Sequence, residues 1–486
     1  MSGVLQRPRT DRGFLGQPRA LANLFGVEAW ERFSFYGMQG ILLIYLYHSV
    51  ARGGLGLDQG TATSVVGAYG GTVYLSTVVG AWLADRVLGP ERVLFAGGVV
   101  VLAGHVALAV LPGVAGVGVG LVLVALGSGG VKANATTLVG TLYAEGDERR
   151  DAGFSLFYLG INLGGLVGPL LTGLLRDTAG FHWGFGLAAL GMAAGLVQYA
   201  AGRRHLPAHA RSVPDPLPAG RGRRTALGAL AAAAVLAVLC LLGVVTAERL
   251  DELVVALTVA ASVALFALVL GSARTTAAER RRVLGFVPLF LSSVAFWALF
   301  QQQFTVVAVY SDQRLDRSVL GWQVPVAWVQ SVNPVFIVLL APVFAALWTR
   351  LGPRQPSTPV KFALGTALMG VAFLLFLPMA GGGPGSAPLA GLVGILLVFT
   401  LAELSLSPVG LSVTTKLAPA AFRAQLVALF FLSTALGTAL SGTLAGYYSP
   451  EAEHGYFGVL GGTAVALGVL LALASPWVRR LTHPVR

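Results

Sequence analysis

Apolar residues run along this chain in long blocks, each roughly 20 residues and apolar all round, with short polar stretches between them. This pattern predicts membrane-spanning helices. A spanning strand needs only about ten residues and alternates in character, which these blocks do not. Helices are expected at 21–48, 60–88, 91–112, 115–143, 151–176, 182–201, 225–247, 251–273, 283–311, 319–350, 358–379, 387–416, 420–449 and 455–478, fourteen in all. The longest break, GRRHLPAHARSVPDPLPAGRGRR at 202–224, is polar, basic and rich in proline. It divides the helices into six, two and six. The expected organisation is an N-terminal six-helix bundle (1–201), a basic linker with an inserted two-helix hairpin (202–282) and a C-terminal six-helix bundle (283–486). The hairpin helices show little polar character and no expected buried acid, so their role reads as structural or lipid-facing.

Composition supports an all-α polytopic membrane protein. Charged residues make up 11% of the 486 and mean hydropathy is +0.76, against about 25% charged in soluble proteins. The net charge of +12 would suit a nucleic-acid partner, but the basic residues sit in short loops, which suits a membrane face. An even number of spans puts both termini on one side. That side carries 26 of the Lys and Arg residues, among them Arg7, Arg9, Arg12, Arg19 and Arg486, against five on the other: Arg52, Arg176, Arg249, Arg314 and Arg317. The asymmetry predicts a multi-pass protein of the cell membrane with both termini cytoplasmic. The first 20 residues are polar and lack the apolar core of a cleavable signal. The single cysteine, Cys240, permits no intramolecular disulfide. No metal cluster, nucleophilic triad or phosphate loop is visible, so neither enzyme chemistry nor a cofactor is expected. No obligate protein partner is evident.

Ionisable residues inside spans are costly and functional by default. The expected set is Glu28, Glu31, Arg32, Lys132 and Glu403, with His105 read as a packed residue. On a helix advancing about 100° per residue, Glu28, Arg32, Phe35 and Gln39 fall within about 60° of one another. Glu31 and Tyr36 flank them, so the polar stripe runs on toward the membrane centre like the lining of a cavity. Glu28 and Arg32 stand four apart and can pair. Lys132, in ALGSGGVKANATTLVGTLY, lies roughly 15 Å along its helix from the terminus-bearing end, too deep to snorkel. Glu403, in LVFTLAELSLSPVG, lies five residues before Pro408 on a helix expected to bend. Tyr69, Tyr74, Asn162, Gln301–Gln303 and Asn333 add uncharged polar groups.

Two sets of motifs resemble known families. GAWLADRVLGPER, with a degraded second copy in PVFAALWTRLGPRQP, resembles the cytoplasmic signature of the major facilitator superfamily. That resemblance implies a rocking transporter with its site between two halves near the midplane. EAWERFSFYGM, the block from VKANATT to GLVGP and the block ELSLSPVGLSVTTKLAPAAFRAQLVALFFLST are similar to the proton-dependent oligopeptide transporter family within it. The resemblance covers residues 21 to about 475, and the central hairpin matches the bacterial members.

The resemblance implies proton-driven symport of di- and tripeptides across the lipid bilayer. Glu28, Glu31 and Arg32 match residues tied to proton coupling, and Lys132 matches one tied both to coupling and to the peptide carboxylate. Glu403 matches the acid facing the peptide amino terminus. Tyr36, Tyr69, Asn162 and Asn333 match residues lining the site. Two positions depart from the pattern: Gln39 stands where many members have a second arginine, and Gln301 where they have a glutamate. Glutamine does not titrate, so Lys132 is expected to be engaged by substrate carboxylate or by Glu28 and Glu31. The competing readings are a symporter of another small solute (amino acid, nitrate or drug), a non-transporting peptide receptor, and a passive channel.

Overall fold

The computed structural model describes residues 13–144, 147–218 and 220–482. Arg7, Arg9, Arg12 and Arg486, which enter the charge count, and the Cys240 side chain lie outside what is described. Among the described residues there are fifteen α-helices: α1 (Arg19–Tyr47), α2 (Gln59–Leu83), α3 (Pro90–Val110), α4 (Gly113–Gly140), α5 (Arg149–Ala179), α6 (Phe181–Gly202), α7 (Arg221–Leu241), α8 (Leu250–Gly271), α9 (Ala277–Phe300), α10 (Val306–Gln313), α11 (Val332–Leu351), α12 (Thr358–Leu374), α13 (Leu389–Leu417), α14 (Arg423–Ala445) and α15 (Glu453–Thr482). Because α9 and α10 share one crossing, they make fourteen spans. Eleven of these are long and apolar enough to cross a membrane on composition alone. The set omits α1, α2 and α7. In α1 the charged residues lower hydropathy, and in α2 a run of hydroxyl residues does.

Helices α1–α6 pack on one another, as do α9–α15, giving two six-helix bundles with α7 and α8 inserted between them. Local chemistry sets several starts and stops. Asp58 caps α2 by accepting from the Thr61 N–H at 2.9 Å. Thr276 and Glu279 form a reciprocal capping box at α9. Pro90 opens α3 directly after Gly89, whose φ of +84° suits glycine.

Four features differ from the expectation. The ninth span is not continuous: a 3₁₀ turn at Gln301–Phe304 breaks it, and Thr305 leaves helical geometry (φ −120°, ψ −95°). Backbone bonds span the break, from the Thr305 N–H to the Gln302 carbonyl and from the Val309 N–H to the Thr305 carbonyl, both at 3.1 Å. Gln302 Oε1 accepts from Tyr456 Oη at 2.9 Å and from Thr305 Oγ1 at 3.3 Å. A backbone break at membrane depth persists where protein groups meet the freed polar atoms. The tenth span starts late, at Val326. Residues 318–323 form a hairpin of β2 (Ser318–Val319) and β3 (Trp322–Gln323), turning through Leu320 and Gly321, both at positive φ. A parallel pair joins β1 (Leu315–Asp316) to β4 (Ala387–Pro388).

The third difference lies in the hairpin, which does hold a buried acid. Asp251, at the start of α8, accepts from Ser64 Oγ at 2.6 Å, and α8 packs on both α2 and α14. The expectation of no buried acid in the hairpin is thus corrected: Asp251 is buried by the docking of α8. Fourth, the stretch after α6 is not a free linker. Arg203 donates twice to the fully buried Glu91, at 2.7 and 3.0 Å. The backbone of Asp215 and Leu217 pairs with that of Asp85 and Arg86, and Arg86 pairs with Asp215 at 2.8 Å.

The two bundles touch most closely where α2 crosses α14. A Cβ on Gly67 would lie 2.6 Å from the Gly442 Cα, so backbone meets backbone with nothing able to give. Small residues at such crossings let membrane helices approach. Replacing Gly67 with valine is expected to destabilise the purified protein by about 1–3 kcal/mol, read as a lower thermal midpoint. Gly462, which has open space around it, is the control: Gly462→Ala is expected to be neutral or slightly stabilising.

Candidate functional site

The charged stripe of α1 is fully enclosed. Glu28, Glu31 and Arg32 are 2%, 0% and 6% exposed. Arg32 Nε donates to Glu28 Oε1 at 2.8 Å and lies 3.3 Å from Glu31 Oε2. Ser128 of α4 donates to Glu31 Oε1 at 3.2 Å. The glycines before Lys132 bring α4 this close: a Cβ on Gly129 would fall 2.3 Å from Ser76 of α2.

One turn further along α4 stands Lys132. Its ammonium lies 4.2 Å from the Phe35 ring centroid and 4.9 Å from that of Tyr74. Among the described residues no carboxylate reaches it within ion-pair distance. Aromatic faces stabilise a desolvated cation by up to about 2 kcal/mol, less than a carboxylate would. The lysine is thus held in place by groups that a stronger partner displaces. Phe35 also stacks on Tyr69 at 6.1 Å, and Tyr36 stacks on Phe304 of the other bundle at 6.1 Å.

The facing wall belongs to the C-terminal bundle. Asn333 of α11 donates to Thr400 Oγ1 at 3.0 Å and to Glu403 Oε2 at 3.2 Å, fixing the carboxylate of α13. Gln301, in the helix break, donates to Thr438 Oγ1 at 3.1 Å and lies beside Tyr74. Tyr36, Tyr74 and Tyr158 of the N-terminal bundle lie within electrostatic reach of Glu403. Glu403 and Lys132 do not pair with each other; they stand on opposite walls. Asn162 is buried and donates to the Tyr158 carbonyl at 2.9 Å, one turn from the cavity face. Among the described residues, Glu28 Oε2, Gln39 Oε1, Tyr69 Oη and Gln301 Oε1 are buried and meet no hydrogen-bond partner. Each such atom costs about 1–3 kcal/mol until it is met.

The structure thus gathers Glu28, Glu31, Arg32 and Lys132 between α1 and α4, with Tyr69 reached through Phe35, and sets Tyr36, Gln301, Asn333 and Glu403 about the seam, with Asn162 reached through Tyr158, while Gln39 is buried further along α1. The sequence reading missed Ser128, Tyr158 and Phe304. Ser128 was legible only as one residue of a small-residue string, whereas Tyr158 had a signal: it sits four residues before Asn162 on the same helix face.

A second cluster, also missed, closes the cavity on the face remote from the termini. Asp312 of α10 accepts from Tyr47 and lies 2.8 Å from His48 Nε2, both at the end of α1. Gln59 donates to the Tyr448 carbonyl at 3.3 Å, Trp328 to the Leu170 carbonyl at 2.9 Å and Ser331 to the Leu166 carbonyl at 2.8 Å. Among the described residues, the hydrogen bonds found between the bundles fall in this remote half of the span. In the half nearer the termini, Tyr158 of α5 is 41% exposed.

A two-bundle membrane protein with charged groups on both walls of its seam, and with the bundles hydrogen-bonded together at the end remote from the termini, has the architecture of an alternating-access transporter. The model of the POT family (PTR2) matches residues 91–458, and the chain belongs to that family. It is 39% identical to the di-/tripeptide transporter of Lactococcus lactis subsp. lactis (strain IL1403), covering 98% of this chain and 99% of that one. The crystal structure of a peptide transporter POT in complex with sulfate superposes with a TM-score of 0.93 at 46% identity, over 97% of each chain. A POT family transporter in complex with 5-aminolevulinic acid superposes with a TM-score of 0.91 at 36% identity, over 96% of this chain and 98% of that one.

The closing cluster makes its own prediction. Asp312→Ala removes the acceptor of two charge-assisted bonds, each about 1.5–3 kcal/mol. Spin labels on Val50 and Leu320, both exposed on the closed face, are expected to show a longer, broader distance distribution in this variant, with the closed population reduced at least about ten-fold.

Proposed function

We propose that this protein is a proton-coupled symporter that imports di- and tripeptides by alternating access. It spans the cell membrane with both termini cytoplasmic, so the closing cluster faces outward. The Lys and Arg asymmetry supports the orientation. The moving units are the two bundles, divided at 202–282, with that segment as linker and inserted hairpin. The names and lengths of the relatives support the substrate class.

The observation that carries the reading is the placement of Lys132 and Glu403 on opposite walls, neither bound to a counter-charge across the cavity. A peptide zwitterion supplies both: its carboxylate to Lys132, its ammonium to Glu403. Binding then draws the bundles together. Gln39, Tyr69, Asn162, Gln301 and Asn333 contribute hydrogen bonds, and Tyr36 an aromatic face.

Formal charge indicates how the proton enters. Glu28, Glu31 and Glu403 set against Arg32 and Lys132 leave one net negative charge in the cavity. A zwitterion does not change that sum, and one proton cancels it. When a carboxylate takes Lys132, the acids of α1 lose a neighbouring cation, and a proton there restores the balance. One proton moving through 100 mV gains ~2.3 kcal/mol, and one pH unit adds ~1.4 kcal/mol. Together they sustain roughly 500-fold accumulation.

A second reading, uptake of another small zwitterion, is favoured by one observation: a structural neighbour is described in complex with 5-aminolevulinic acid. Uptake of labelled dialanine into proteoliposomes, inside alkaline and negative, separates the two. The expected result is accumulation above equilibrium that a protonophore abolishes and that Glu31→Gln and Glu403→Gln each reduce at least about ten-fold. Proton-driven currents that dialanine neither evokes nor inhibits would support the second reading instead.

A further inference from the structure

A second cavity, of about 1270 Å³, lies at the terminus-bearing end of the C-terminal bundle, among α11, α12, α13 and α15. It does not belong to the central site. Its α13 wall includes Ser412, nine residues after Glu403 and so about 180° around the helix from it. The charge of the lining is one-sided. Among the described residues, Lys361, Lys416, Arg479 and Arg480 contribute to the lining, and no aspartate or glutamate does. Lys361 is 8% exposed, held by Gln355 Oε1 at 2.6 Å and by the Trp348 ring at 4.4 Å. The hydroxyl of Ser357, at the start of α12, also lines the cavity and makes no capping bond. Lys361, Arg479 and Arg480 share one cavity whose described lining holds no carboxylate, and like charges this close repel one another, a cost that an anion offsets.

The surface beside the cavity continues as an apolar track. Arg480, Trp477 and Leu473 follow one face of α15 at positions i, i−3 and i−7. Trp477 and Leu473 are 55% and 73% exposed. A tryptophan at the interface with an apolar ridge beyond it suits a headgroup above and an acyl chain below. Basic pockets between spanning helices on the cytoplasmic side hold lipid phosphates.

We propose that this cavity binds a phosphate-bearing anion, the headgroup of an anionic phospholipid of the cytoplasmic leaflet. The ligand bridges α12 and α15 at the end of the bundle that moves in transport.

The test is binding, so it does not depend on whether peptide is the transported solute. The purified full-length protein is titrated with short-chain phosphatidylglycerol and with phosphatidylcholine of the same acyl length, following tryptophan fluorescence. Wild type is expected to prefer phosphatidylglycerol. Lys361→Gln/Arg480→Gln is expected to bind it about thirty-fold more weakly, at about five-fold per cation removed. Lys361→Arg/Arg480→Lys, which keeps the charge, is expected to retain binding, and an unchanged thermal midpoint separates lost binding from misfolding. Lack of competition by inorganic phosphate assigns the site to lipid. Competition supports the phosphate site and assigns it to a soluble ligand. Equal binding of the two lipids, or a stable double-glutamine variant that binds like wild type, overturns the proposal.

Discussion

The structure turns on how charge is held where water is scarce. Buried ions need partners, and removing one partner is strongly destabilising because the other is left uncompensated. In the α1 cluster the demand is nearly met: one arginine serves two glutamates, with a serine from α4 assisting. Lys132 and Glu403 are different. The lysine rests on two aromatic rings and the glutamate on one amide. These are partners weak enough to yield, and they stand on separate bundles. An arrangement incomplete on both walls is completed by a ligand carrying both charges, which is why the cavity reads as a site for a zwitterion.

The same constraint explains the rest of the seam. At the remote end the bundles are joined by charged and neutral hydrogen bonds around Asp312 and by glycine contact between α2 and α14. Strong links at one end and none found at the other among the described residues give a pivot. The break at Gln301–Phe304 lies between the cavity and the closing cluster, because α10 carries Asp312. Buried pairs away from the seam hold fixed parts in place: Arg203 donates twice to Glu91, and Arg314 donates to Glu453 Oε2 at 3.0 Å with its Nε 2.9 Å from Oε1.

Most of the fold was legible because the bilayer demands long apolar helices, and fourteen of them follow from the blocks alone. The α1 stripe was legible for the same reason: charges in such a block stand out, and helical periodicity places Glu28 and Arg32 side by side. Features made by distant residues were not legible. Glu453 and Arg314 are 139 positions apart, each near a span end where a charge draws no notice. Asp312 and His48 lie 264 positions apart and meet only through the packing of α1 against α10. The break at Gln301 carries no proline or glycine to announce it. Asp251 was misread because burial of a helix's first turn depends on what docks against it.

The central claim is that Lys132 takes its counter-charge from the substrate. It is tested most directly by crossing a change in the ligand with a change in the residue. Binding of dialanine and of dialanine amide, which lacks the carboxylate, is measured on wild type and on Lys132→Gln. The amide is expected to bind wild type at least about ten-fold more weakly, and Lys132→Gln to bind both equally, so the two losses do not add. A variant that still prefers the free carboxylate by the full wild-type ratio would contradict it.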